Sequence, residues 1–304
     1  MKKLFILFSL MLVFSFEIFS RERIENIDKK LFKGGIVYVK TESVPYTGKL
    51  TGKNIVEVYK NGIKDGYFKG IIKIEEEVFF YEGRYVQGIK HGIWYLKYKN
   101  GVTKAIMKYN YDRPHGHWSY FYPDKSMEGY ENLKDGLLFG KVVQYNKDGS
   151  LKTTVNYKNG LLENEGTFFY NSGNLKAETN FVLGKLNGSI RIYSDGGNIL
   201  LDGHYINNRR QGKWVMFYRN GDLKTTIEYK NGLKDGDLVI YDKSGMILDV
   251  AKFRNGLEIG SGETKAPKLR DNIVGMFKKF NRDLKYEKYN KILTEMEWCV
   301  WKNY

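Results

Sequence analysis

The feature that most constrains this chain is a 24-residue period in its glycines. Stepping by 24 from Gly88 meets Asp112, Gly136, Gly160, Gly184, Asn208, Gly232 and Gly256. Four residues further on, the same step meets Gly92, Gly116, Gly140, Asn164, Gly188, Gly212, Gly236 and Gly260. Every one is Gly, Asn or Asp, the types that accept positive φ. A second turn recurs at Gly101, Gly149, Gly173, Gly197, Gly221 and Gly245, with Lys125 as the exception. The residues ahead of these glycines, such as Asn100, Asp148 and Asn220, make the second turn read as an Asn-Gly-like hairpin loop.

Between the turns the columns are apolar. Tyr85, Tyr109, Leu133, Tyr157, Phe181, Tyr205, Tyr229 and Phe253 form one, and Trp94, Trp118, Val142, Ile190, Trp214 and Leu238 another, broken by Gly166. Segments of seven to nine residues with period-two spacing, such as Thr103, Ala105, Met107 and Tyr109, read as strands. The sequence therefore predicts an all-β fold, an elongated antiparallel β-hairpin repeat array of about nine units of 24 residues over 45–260. Composition agrees: 33 Gly against 4 Pro makes the turns glycine-built, and 15% aromatic residues is too rich for a disordered chain.

The ends depart from the period. Residues 1–20, with Lys2 and Lys3 ahead of an uncharged run from Leu4 to Phe16 and Ser20 before Arg21, are laid out as a signal peptide cleaved near Ser20. An exported chain is expected, in the periplasm, at the cell surface or secreted, with 21–44 as a lead-in. Loss of Lys2, Lys3 and Glu17 takes the net charge from +15 to +14. In 261–304 the glycine period stops, and Leu269, Ile273, Phe277, Phe280 and Leu284 fall at helical spacing. A C-terminal α-helical segment is expected there, either capping the last sheet edge or lying on an anionic membrane through Lys268, Arg270, Lys278, Lys279, Arg282 and Lys285.

The stretch YEGRYVQGIKHGIW, Tyr81 to Trp94, resembles a MORN repeat, and YKNGLKDG, Tyr229 to Gly236, resembles the MORN repeat variant of bacterial YwqK-type proteins. YKNGIKDG at Tyr59 to Gly66 is an earlier, slightly longer unit. The resemblance implies a non-enzymatic binding or scaffold module for a protein, glycan or membrane partner. It also implies an alternative, a toxin-antitoxin antitoxin that neutralises a toxin, a role at odds with an export signal; the basic charge of an exported chain suggests another, an adhesin-like protein of the cell envelope meeting a polyanion.

A few residues could carry chemistry of their own. His91, His115 and His117 lie close in sequence, but their column continues as Phe139, Glu163, Asn187 and Gln211, which reads as variable turn positions rather than a metal site. The pairs Tyr59-Lys60, Tyr98-Lys99, Tyr157-Lys158 and Tyr229-Lys230 suit single-stranded nucleic acid, or else rings packed on the sheet beside lysines that keep its edges soluble. Export favours an acidic protein, an acidic glycan or anionic lipid headgroups over nucleic acid as partner. Glu75, Glu76 and Glu77 read as a solvated run. Cys299, the single cysteine, excludes an internal disulfide and is either idle or able to join two chains. No G-x-S-x-G, H-E-x-x-H or phosphate-loop motif occurs, so no catalytic, cofactor-binding or metal residue is expected and an enzyme is not.

Overall fold

The computed structural model describes residues 22–74 and 76–261. Two turn chemistries set its strands. At the first, Asn159 and Gly160 both have positive φ, 51° and 78°, and form a two-residue loop between the paired residues Lys158 and Leu161. This is the hairpin turn whose own twist matches that of the strands it joins. It recurs at Gln87-Gly88, Tyr111-Asp112, Asp135-Gly136, Leu183-Gly184, Asn207-Asn208, Asn231-Gly232 and Asn255-Gly256.

The second turn differs from the Asn-Gly-like loop expected. It is a three-residue loop: the Gly101 N–H donates to the Tyr98 carbonyl, the Tyr98 N–H donates to the Val102 carbonyl, and only Gly101 is left-handed. The residue ahead of the glycine acts through its side chain, as Asn100 Oδ1 accepts the Val102 N–H at 3.0 Å. Lys125, at φ 73°, holds the same bonds without a glycine.

Long strands and short turns build one continuous sheet. From Gly48–Gly52 to Leu257–Ser261 the pairings are all antiparallel and follow chain order, the short tip strands Arg113–Pro114, Leu137–Leu138 and Leu161–Leu162 pairing only with the strand before them, and Ile24–Asn26 adds a parallel pairing to Gly48–Gly52. Among the described residues the sheet has 23 strands, and a two-stranded sheet, Lys30–Lys33 with Ile36–Val39, stands beside its first hairpin. The expected hairpin array with an α-helical segment is therefore corrected. Among the described residues the fold is a mostly antiparallel sheet with no α-helix, its sole helical turn being the 3₁₀ stretch Ile27–Lys29. The physical reason is local: the left-handed pair Asn255-Gly256 returns the chain as the strand Leu257–Ser261, paired with Ile247–Arg254. The stripe from Leu269 to Leu284 lies outside the described residues, as do the proposed signal at 1–20, Glu75 and Cys299.

The glycines four residues beyond the first turn are β-bulges. Arg84 pairs with His91 but Glu82 pairs with Tyr95, so Gly92, Ile93 and Trp94 face Gly83 alone. The same slip at Asp202/His204 sets Gly212, Lys213 and Trp214 against Gly203. Here the missing side chain matters: a Cβ on Gly203 would fall 2.6 Å from Cε2 and Cε3 of Trp214, whose indole occupies that space. Beyond each bulge the hairpin tip brings a tyrosine against the tryptophan. Tyr205 meets Trp214 edge-on at 5.0 Å, and Tyr85 meets Trp94 the same way at 5.0 Å.

Two seams join the units, one at every tip from Gly88 to Gly256 and one, made of tyrosine hydroxyls, at four junctions. At the tips, the turn N–H donates to a carbonyl of the preceding tip, as from Gly88 to Lys64, Gly160 to Leu138 and Gly256 to Lys234. At the other end, Tyr98, Tyr122, Tyr170 and Tyr218 donate their hydroxyls to the carbonyls of Phe121, Tyr145, Tyr193 and Tyr241, at 2.7–2.9 Å. Between the seams a single apolar cluster runs from Phe68 to Phe253. A smaller one, Val37, Val39, Tyr46, Leu50 and Tyr59, closes the N-terminal end.

Candidate binding surfaces

The tip edge presents aliphatic side chains and cations together. Leu137 is 51% exposed, Leu161 46%, Ile206 46% and Leu233 51%, because each flanks a tip turn where no further layer covers it. Some of each surface is used in stacking: Leu137 lies over Gly160, Leu161 over Gly184 and Leu233 over Gly256. Beside them Lys134, Lys158, Arg209, Lys230 and Arg254 are exposed. The edge thus offers alternating apolar contact and positive charge along the array.

A second set of cations is internal. Lys64 lies over Phe68 at 4.6 Å and Tyr85 at 5.0 Å, Arg210 over Tyr229 at 5.0 Å, and Lys234 over Phe253 at 4.5 Å. Burial lowers the Lys64 pKa, the nearby Glu57 opposing it. Three carboxylates also point inward, Asp249 among them. Glu131 accepts the Tyr120 hydroxyl at 2.6 Å, and Glu57 meets Lys30 and Tyr59 at 2.8 Å each. Sequence reading passed over Glu57, Glu131 and Lys64; the signal was available for the two glutamates, which stand in strand positions of inward parity.

The outer face carries polar clusters. Burial acts to raise the Glu82 pKa, but hydrogen bonds from Lys97 and Tyr67 outweigh it and hold the carboxyl below the usual carboxylate range. Burial first, then the bond to Glu82, pushes the Tyr67 pKa up to about 12. Tyr193 donates to Glu178 at 2.6 Å, and Arg191 bridges Glu178 and Asp202 at 3.6 Å each. Alongside runs a column of half-buried rings, Phe121, Tyr145, Phe169, Tyr193, Phe217 and Tyr241.

The sequence-derived candidates fall as follows. His91 packs on the Tyr111 ring at 5.5 Å, and His117 Nδ1 bonds Asn132 Oδ1 at 3.0 Å, so each has its own partner. Among the described residues no group of three metal-ligating side chains occurs. In the Tyr-Lys pairs, Tyr59, Tyr157 and Tyr229 are buried while Lys60, Lys158 and Lys230 are exposed on the opposite side. Tyr98 is half-buried and capped by Lys104 at 5.2 Å. Ile74 pairs with Glu77 across a tight turn in which Glu76 meets Lys73 at 3.0 Å.

Three segments of the chain, residues 140–159, 162–182 and 210–231, match the family model described as MORN repeat variant. Each lies within the two-turn unit described above. No curated protein matches the chain. Among solved structures it is similar to a porin-like protein from Bacteroides uniformis ATCC 8492, at 11% identity over 64% of this chain and 92% of that one, with a TM-score of 0.16. So loose a superposition carries no argument. These findings define a β-repeat protein, three segments of which are similar to the MORN repeat variant family.

Proposed function

We propose that the chain is an exported, non-catalytic binding module that meets an anionic surface along the tip edge of its sheet. The observation that carries this reading is the alternation of exposed Leu137, Leu161, Ile206 and Leu233 with exposed Lys134, Lys158, Arg209 and Lys230. Aliphatic contact and positive charge in one row suit an acidic headgroup layer, to which each cation near the surface adds about 1 kcal/mol. The net charge of +14 left after loss of Lys2, Lys3 and Glu17 steers the approach. Sedimentation with phosphatidylserine vesicles tests it: binding that falls with salt and is lost in Lys134→Glu/Lys158→Glu is expected, and equal binding to neutral phosphatidylcholine vesicles would refute it.

A second reading, toxin neutralisation, draws support from YKNGLKDG at Tyr229 to Gly236, the segment that resembles YwqK-type proteins and overlaps the match at 210–231. It requires a protein partner retained from cell extract at high salt, where the surface reading requires release.

A further inference from the structure

We propose that the outer face of the sheet is a second binding site, and that its ligand is an extended β-1,4-linked glycan lying across the strands. The platform is the row Phe121, Tyr145, Phe169, Tyr193, Phe217 and Tyr241, half-buried rings that each leave some of their surface open. Tyr193 reaches Glu178, and Lys97 at the same repeat position reaches Glu82. Glu178 alternates with buried Ala177 and Thr179, so the row lies on the face turned away from the core.

Three features select the ligand. First, the rings occur on every second strand, a spacing of about 9.6 Å along the sheet. Two residues of an extended β-1,4-linked chain cover closely that length and then present the same sugar face again. Sugar faces are sheets of C–H groups that pack on aromatic rings, so one ring per disaccharide is a matched arrangement. Second, the backbone beneath four of the six rings is tied down before any ligand arrives. The carbonyls of Phe121, Tyr145, Tyr193 and Tyr241 each hold the tyrosine hydroxyl of the preceding unit, which removes much of the ordering cost of binding. Third, hydroxyl partners stand beside the rings: Glu178, Arg191 and Asp202 next to Tyr193, and the Thr154–Thr167 pair, 3.0 Å apart, near Phe169. The rows twist by roughly 20–25° per strand, and a β-1,4 chain follows by rotation about its linkages.

Titration calorimetry of the full chain with cellohexaose, and with laminarihexaose as the β-1,3-linked control, tests this. The expected result is cellohexaose binding that salt leaves unchanged and that weakens about tenfold or more in Phe169→Leu/Phe217→Leu, which keeps apolar packing but removes the ring faces. Tyr193→Phe should retain binding, and Tyr193→Ala should lose it while circular dichroism still reports the folded sheet. Absence of heat with cellohexaose, equal binding of both glycans, or full binding by Phe169→Leu/Phe217→Leu would overturn the proposal. Because vesicle binding through the tip edge is salt-sensitive and uses other residues, either proposal can fail while the other stands.

Discussion

Gly203→Ala isolates the most specific packing relation in the fold. The bulge at Gly212 swings Trp214 back across the sheet, where its indole lies on Gly203 and Trp214 is 1% exposed. Gly203 has no positive φ, so alanine brings no backbone strain; it brings only a methyl 2.6 Å from two ring carbons, a separation that real contacts do not show. The indole is held by Tyr205 at 5.0 Å and Tyr229 at 5.9 Å and cannot retreat freely. Overpacking of this kind costs about 1–3 kcal/mol. At roughly 2–4 °C per kcal/mol for a chain of this class, Tm should fall by roughly 2–12 °C. Trp214→Ile alone should also destabilise, by loss of buried surface. The double variant should then be more stable than the sum of the two, with a coupling of about 0.5–3 kcal/mol. Thermal melts followed by circular dichroism measure all three. Additive losses, or a Gly203→Ala protein that melts like the parent, would refute the account of why glycine stands opposite the bulge.

Other outcomes are expected. At Gly212, φ 68°, Asn should be tolerated better than Val, since Asn164 holds φ 62° at the equivalent position; at Gly236, φ 124°, Asn should be nearly as damaging as Val, a difference read by urea midpoints. Tyr218→Phe removes the hydroxyl bond to the Tyr241 carbonyl and should cost about 0.5–1.5 kcal/mol. Burial raises the pKa of Tyr157 and Tyr229, with Glu131 adding to the rise at Tyr157. A raised folded-state value means stability that is complete below the unfolded tyrosine pKa of about 10 and is lost as pH climbs through the folded values. Urea midpoints should therefore fall above about pH 10 in step with tyrosinate absorbance, and Tyr157→Phe should flatten the fall.

The positions of the turns were legible because glycine, asparagine and aspartate mark left-handed backbone in the residue alphabet itself. Of the two glycine columns, Gly260 is the one member that is not left-handed; there Lys252 pairs with Gly260 and Phe253 with Glu258, so the extra residue is Ile259. The role of the Gly92 column was not legible: a bulge and a turn ask for the same residue types, and only the pairings Arg84 with His91 and Glu82 with Tyr95 tell them apart. The second turn was misread for a related reason, because Asn100-Gly101 looks like a two-residue loop until the Tyr98 carbonyl shows where the loop begins. The N-terminal sheet, Lys30–Lys33 with Ile36–Val39, left no periodic trace, since it is held by single contacts such as Val37 N–H to the Gly62 carbonyl. The surfaces were harder still. Leu137 and Leu161 read as strand apolar residues, and their exposure follows from where the tips end.

The two seams also give the sheet a mechanical character. Tension along the array, from its N-terminal cap towards Ser261, is parallel to the interstrand hydrogen bonds, so the ladder would open pair by pair, as a zipper does, at low force. The tyrosine hydroxyls and tip amides couple a unit to the next at both ends of its strands, outside the ladder's regular pairing. Under load they act as paired rivets: a strand cannot peel from one side without shearing the lock on the other. A sheet built this way yields in unit-sized steps, absorbing work at each, and re-zips in register because each tyrosine finds its carbonyl 23 residues along the chain.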